Sequence, residues 1–324
     1  MKPRNGAYLL FAALMAALAG ESVAQANYPN RPVRVIVPSS PGGGTDILTR
    51  LLTPQLSERL GQQVLVDNRP GAGSIIGNEI VARSPPDGYT LLMGISTIAI
   101  LPSMHKKLSY DALRDLAPIT QAISAPNILV VHPSLPVKSV KELIAFAHKR
   151  TGELNFASAG LGTNPHLSME LFLSMTKLRM VHIAYKGLGP AMIDLLAGHV
   201  VVSTATMLTA LPHVKSGRLR GLGVTGSSRS SVLPDLPTVA EAGVPGYEAV
   251  QWYGLFAPSQ TPKDIIAKLH AAMTGALQTP AVREKLAADG TDAVGNTPDE
   301  FARFIRAETE KWARVAREAG IKPE

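Results

Sequence analysis

The stretch "VRVIVPSSPGGGTDILTRLL", Val33–Leu52, reads as a buried strand, a glycine-rich turn and the opening of a helix. Val33 to Val37 is β-branched except at Arg34, Pro38 to Gly44 is all turn chemistry, and an apolar helical pattern follows. Such a turn leaves several backbone N–H groups unpaired at the positive end of a helix dipole, so it attracts a carboxylate or phosphate without Lys or Arg. The arrangement recurs in "ELNFASAGLGTNPHLSMELF", Glu153–Phe172. Two such turns predict an acid held between two lobes.

Outward from these turns, short apolar runs alternate with amphipathic helical patterns as far as Val224, the mark of an α/β protein. The strands expected are Val33–Val37, Gln62–Val66, Tyr89–Gly94, Asn127–Val131, Leu154–Ser158, Met180–Tyr185, Val200–Thr204 and Leu219–Thr225. Ser139 with Glu142 and Thr297 with Glu300 read as capping boxes, and Pro165, Pro262, Pro280 and Pro298 stand where a first helical turn accepts proline. Pro54 falls inside the helix from Thr45 to Leu60 and predicts a bend. In the last helix Phe301, Phe304, Ile305, Trp312 and Val315 form a packing stripe. Pro126–Pro136 and Gln251–Pro262, apolar extended stretches ending in proline, are read as the two crossings between lobes, which makes the first lobe discontinuous.

Composition removes several classes of function. Lys2 and Arg4 precede an apolar stretch from Tyr8 to Ala19, and Ala24-Gln25-Ala26 has the small-x-small pattern of a signal peptidase site, so export with cleavage after Ala26 is expected. Twelve apolar residues rise only about 18 Å as helix, short of the roughly 30 Å of a bilayer core. With no cysteine, disulfides, thiol chemistry and thiolate metal sites are excluded. The formal charge of +7 is scattered and aromatics are 5% of the chain, unlike a nucleic-acid binder. Gly42-Gly43-Gly44 ends in Thr-Asp rather than Lys-Ser/Thr, and "GAGSIIG", Gly71–Gly77, has its third glycine one residue late for a dinucleotide fingerprint, so no nucleotide is implied. The eight histidines include no HExxH pair, so no metal is expected, and neither a GxSxG elbow nor a paired carboxylate marks a catalytic centre.

Three side chains near the turns are candidates on their own chemistry. Thr45 or Asp46 caps its helix, or Asp46 faces the cleft and accepts from a ligand. His166, just inside the second helix, is either a ligand contact or a surface hydrogen-bonder, and Ser158 is suited to donating from the second turn.

Five ordered blocks resemble one family, the extracytoplasmic solute-binding proteins of tripartite tricarboxylate transporters, also called the Bordetella uptake gene family. They are "YPNRPVRVIVPSSPGGGTDILTRLL", "VDNRPGAGSIIGNEIVARSPPDGYTLLMG", "NFASAGLGTNPHLSMELF", "AYKGLGPAMIDLLAGHV" and "VLPDLPTVAEAGVPGYEAVQWYGLFAP". The resemblance implies a two-lobed α/β periplasmic binding protein of type II, with two mixed sheets flanked by helices. It further implies a small carboxylate in the cleft, no cofactor, and delivery to a permease of one large and one small membrane subunit. The expected division is 27–125 plus 253–324 for the first lobe and 126–252 for the second. Carried over by position, the ligand-binding residues are Ser39, Ser40, Gly42, Gly43, Thr45 and Asp46 in the first loop, Ser96 and Thr97 in a further one, and Ser158, Ala159, Gly160, Gly162, Thr163 and His166 in the second lobe. In "VVVSTATML" the family's acidic residue corresponds to Ala205, beside Thr206, so both join the set and amino acids are expected to bind poorly. Ser74 and Ile75 stand where the family has glycine and asparagine, which implies a less polar pocket. The chain is expected to act as a monomer, without nucleic acid. The rival readings are a sensory binding protein signalling to a membrane kinase and a periplasmic hydrolase or isomerase, the latter disfavoured by the missing nucleophile–base pair.

Overall fold

The computed structural model describes residues 28–318 and Pro323; the leader expected over residues 1–26 lies outside them. Strand β1 (Val33–Val37) pairs in parallel with β2 (Val64–Asn68) on one side and β3 (Thr90–Ile95) on the other. β3 runs antiparallel to β9 (Val250–Pro258), and β9 antiparallel to the first part of β4 (Leu116–Val131). A two-residue strand, β10 (Asp292–Ala293), adds to β4. From Asn127 onward β4 belongs to a second sheet, antiparallel to β7 (Val202–Thr206) and β8 (Arg220–Val224), while β5 (Asn155–Ser158) pairs in parallel with β6 (Val181–Ala184) and β7. The molecule is thus two-lobed, with β4 continuous through both mixed sheets.

Period-two alternation assigns the faces. Val33, Val35 and Val37 pack with α1 (Gly44–Leu60) and α9 (Lys263–Leu277) in one cluster. Ile36 points the other way, toward α3 (Thr97–Met104) and α11 (Pro298–Glu318). The stripe of α11 is a packing face as expected: Phe301 and Trp312 are fully buried, and the Trp312 and Trp252 indoles both donate to Glu308.

The remaining helices are α2 (Ile75–Ala82), α4 (Ala112–Asp115), α5 (Val140–His148), α6 (Asn164–Thr176), α7 (Leu188–Ala197), α8 (Met207–Lys215) and α10 (Pro280–Ala288). The Thr297–Glu300 capping box forms reciprocally, whereas at α5 Glu142 N–H donates to Ser139 Oγ at 3.2 Å but the Glu142 carboxylate accepts from Lys138 N–H at 2.7 Å instead of from Ser139. Helix α1 continues through Pro54, which has no N–H for the Arg50 carbonyl; the Thr53 hydroxyl donates to that carbonyl instead, at 3.3 Å. The second crossing differs from expectation. Gln251–Pro258 is not a linker but a central strand of the first sheet, and the chain leaves the second lobe just before it, where Ala249 N–H still bonds to the Thr225 carbonyl. Among the described residues no helix is long and apolar enough to cross a membrane.

Candidate ligand cleft between the lobes

The two glycine turns fold into one structure, repeated. In the first, Gly43 is the N-cap of α1, Gly42 before it has φ +77°, and Gly43 N–H returns to the Ser40 carbonyl at 3.3 Å. In the second, Thr163 is the N-cap of α6, Gly162 has φ +70°, and Thr163 N–H returns to the Gly160 carbonyl at 3.2 Å. The third helical residue then reaches back four positions in each. Asp46 Oδ2 accepts from Gly42 N–H at 3.0 Å, and His166 Nδ1 accepts from Gly162 N–H at 3.2 Å. One buried acceptor therefore fixes the left-handed glycine of each turn, which leaves the N–H groups of the first helical turn facing outward.

The turns meet across a cavity of ≈ 40 Å³, and five helices begin at its wall. Their N-caps, Gly43 of α1, Ser74 of α2, Thr163 of α6, Gly187 of α7 and Thr206 of α8, all line it, and none receives a side-chain cap. Elsewhere α4 and α5 are capped by Asp111 and Ser139, while α3, α9 and α10 also lack a side-chain cap. Five positive helix ends on one small space make a strongly anion-favouring site. Lys186 is the one charged residue in its wall, and no Asp or Glu lines it. The Ser39 hydroxyl is buried in that wall with no protein hydrogen-bond partner, and the buried Tyr253 hydroxyl lies against the Thr206 hydroxyl over Gly44. Burial raises the Tyr253 phenol well above its ordinary value, so it keeps its proton and remains a donor.

The lobes touch through small residues. Ser40 Oγ donates to the Lys186 carbonyl. A Cβ on Gly73 of the first lobe would overlap the Leu161 carbonyl of the second, and a Cβ on Gly189 would overlap the Pro41 carbonyl. On the cavity floor, a Cβ at Gly44 would lie 2.6 Å from Tyr253 Oη and 2.8 Å from Thr206 Oγ1.

Of the expected site residues, Ser39, Gly43, Thr45, Ala159, Thr163 and Thr206 line this cavity together. Ser40, Gly42, Gly160 and Gly162 build the turns and their contact. Asp46 does not face the cleft. Its other oxygen takes Arg50 Nε at 2.9 Å and Asn68 Nδ2 at 3.1 Å; burial works to raise its pKa, but these bonds and the Gly42 N–H prevail and hold it below the ordinary carboxylate range. His166 likewise serves its own turn and stacks on His182 at 4.2 Å. Ser158 bonds His182 Nε2 at 2.6 Å and Gly160 N–H at 3.1 Å. Ser96 acts at one remove by donating to Gln251, which does line the cavity, while Thr97 is buried beside it in α3. Ala205 corrects an expectation: on β7 it alternates with Thr206 and its side chain enters the apolar cluster of the second lobe, away from the cavity. The wall also holds Gly73, Lys186, Gly187, Gln251 and Tyr253, which the sequence pattern did not single out, and Ser74, expected to bear on the pocket's polarity. Each lies within a block quoted for the resemblance, which was the available signal.

Two lobes closing on an anion-favouring cavity define a periplasmic solute-binding protein. A family model described as "Tripartite tricarboxylate transporter family receptor" matches residues 48–321, and the chain belongs to that family. It is 42% identical over 297 residues to "Protein BugT" of Bordetella pertussis, covering 91% of each. Among solved structures it resembles Rpa4515 of R. palustris, with adipate (TM-score 0.89, 38% identity, 92% of this chain and 100% of that one). It also resembles MatC of Rhodopseudomonas palustris, with bound malate (TM-score 0.84, 33% identity, 89% and 99%). The chain is a periplasmic receptor of a transport system, not an enzyme.

Proposed function

We propose that the chain captures a small, unaminated mono-, di- or tricarboxylic acid in the periplasm and delivers it to a permease of one large and one small membrane subunit. On this reading the exported chain is cleaved after Ala26 and acts as a monomer. It closes a first lobe of residues 27–125 plus 253–324 on a second of 126–252. The carboxylate is held by the helix N-termini at Gly43, Thr163 and Thr206, with Ser39, Thr45, Ala159 and the Tyr253 hydroxyl around it. The observation that carries the reading is the meeting of five uncapped helix N-termini on a cavity without an acidic side chain. Such a site rewards negative charge and offers an ammonium no counter-ion, and an unpaired buried ammonium is costly. The malate and adipate held by the two relatives fit the same class.

Calorimetry of the purified protein with malate, adipate and the matched pair succinate and aspartate tests this. At least one C4–C6 dicarboxylate should bind, and aspartate should bind at least ten-fold more weakly than succinate. A preference for aspartate, or no binding across a wider panel of organic acids, would overturn the proposal.

A further inference from the structure

Behind the cavity wall, one buried amide links the two sheets. Strand β4 changes sheets between Pro126, which pairs with Val250 in the first, and Asn127, which pairs with Thr206 in the second. Asn164, the first residue of α6, is 1% exposed and stands between Thr163 and Pro165, both of which line the cavity. Its Nδ2 donates to the Val250 carbonyl at 3.0 Å. A carbonyl only accepts, so this bond fixes the orientation of the amide and turns Asn164 Oδ1 the other way. There it accepts from Asn127 Nδ2 at 2.6 Å and from the Ser168 hydroxyl at 3.2 Å. Asn127 is held in turn by Thr225, whose hydroxyl accepts from Asn127 N–H at 2.8 Å and donates to the Ala249 carbonyl. The β4 crossing, the start of β9 and the start of α6 thus meet at one asparagine.

The neighbours of these residues in the chain give the link its consequence. Val250 precedes Gln251, which lines the cavity and accepts from the Ser96 hydroxyl at 2.7 Å. The Asn164–Val250 bond therefore joins a residue flanked by two wall residues of α6 to the residue beside a wall residue of the first sheet. The free N–H groups of a first helical turn have fixed directions relative to their helix, and hydrogen bonds weaken steeply as they misalign. An anion reached from both lobes is served well only if the α6 end is held in one place against the first sheet. The arrangement also carries a cost, since turning the Asn127 amide toward Asn164 leaves Asn127 Oδ1 buried without a protein partner. Apolar side chains of similar shape would fill this space without that cost, so filling space does not account for the network.

Resting on the receptor reading above, we propose that Asn164 is a positioning residue for ligand binding. It acts from behind the wall: its bond to the Val250 carbonyl sets the place of the α6 N-terminus relative to the first sheet, so that N–H groups from both lobes converge on one carboxylate.

Calorimetry of the purified protein with malate, succinate and adipate, run alongside melting curves, tests this. Asn164→Ala removes the link to Val250, whereas Ser168→Ala removes a bond to the same amide from within the second lobe and leaves that link in place. Both should lower the melting temperature, and only Asn164→Ala should weaken the tightest-binding of the three acids, by ten-fold or more. Asn164→Ser, too short to reach the carbonyl, is read in the same way should Asn164→Ala fail to fold. A smaller loss in the folded Asn164 variant, or an equal loss in Ser168→Ala, would make the amide purely structural and overturn the proposal while leaving the receptor reading standing. Failure of the wild type to bind any acid of the wider panel would remove both.

Discussion

Gly73→Ala isolates closure from folding. Gly73 has φ +60°, and a Cβ there would overlap the Leu161 carbonyl of the opposite lobe. Since that obstacle is backbone, it yields only if the lobes separate. Strain of an alanine in the left-handed region is about 1–2 kcal/mol, which lowers the melting temperature of a chain this size by a few degrees. The loss in binding is larger, because an open cleft withdraws the second-lobe donors at Thr163 and Thr206 from the ligand. Two charge-assisted hydrogen bonds at about 1.5 kcal/mol each amount to about 100-fold in Kd. Gly61→Ala supplies the control: Gly61 has φ +67°, with nothing within 4 Å of its added Cβ, so it carries the same strain away from the cleft. Calorimetry with the best-binding dicarboxylate should show Gly61→Ala binding like wild type and Gly73→Ala about 100-fold weaker, with similar melting temperatures. Affinity of Gly73→Ala within two-fold of wild type would refute the closure argument, and an equal loss in Gly61→Ala would assign the effect to strain.

Two other predictions concern the side chains behind the turns. Burial, assisted by His166, pushes the His182 pKa down to about 4, so the folded protein binds fewer protons than the unfolded chain, where histidine titrates near 6.5. Stability is then full above pH 6.5 and declines as pH falls toward 4; urea midpoints should fall over that window in wild type and less in His182→Gln, and equal profiles would contradict it. Asp46→Asn keeps the shape but removes the charge that accepts from Gly42 N–H, Arg50 and Asn68. It should weaken ligand binding by about ten-fold through the loosened turn, and unchanged calorimetric affinity would show that the turn holds its form without it.

The strands were legible where local chemistry and tertiary role agree. β1 alternates between two clusters and is bounded by turn residues, so its sequence and its place coincide. β9 was read as a crossing because it is apolar on both faces and ends in proline. Its Trp252 and Phe256 pack one way and Tyr253 and Leu255 the other, a pattern that only a central strand between β3 and β4 explains. The first half of β4 carries Pro118, which argues against a strand; the structure accommodates it where the ladder shifts register between Pro118 and Thr120.

At the site, what was legible was local as well. A glycine turn at a helix start announces free N–H groups whatever surrounds it, so both turns could be read from the sequence. Asp46 and His166 each stand at the third helical position, which is placed to reach the N–H just before the N-cap, four residues back, and both make that bond. Gly73, Lys186 and Tyr253 owe their place to chain closure over long sequence separations, which no local pattern records.

The repetition of one turn in both lobes also bears on how the lobes close. A clamp of paired lysines and carboxylates would have to desolvate each charge on closing and rehydrate it on opening, at several kcal/mol per ion. Here the lobes meet through Gly73 against Leu161, Gly189 against Pro41 and one hydroxyl, Ser40, on the Lys186 carbonyl. Apolar packing and a further hydrogen bond also cross between the lobes: Leu208 of α8 is buried in the first-lobe cluster, and Asn164 Nδ2 donates to the Val250 carbonyl on β9 at 3.0 Å. An anion bridging helix ends that belong to different lobes adds to these contacts, so the loaded state favours closure more than the empty one.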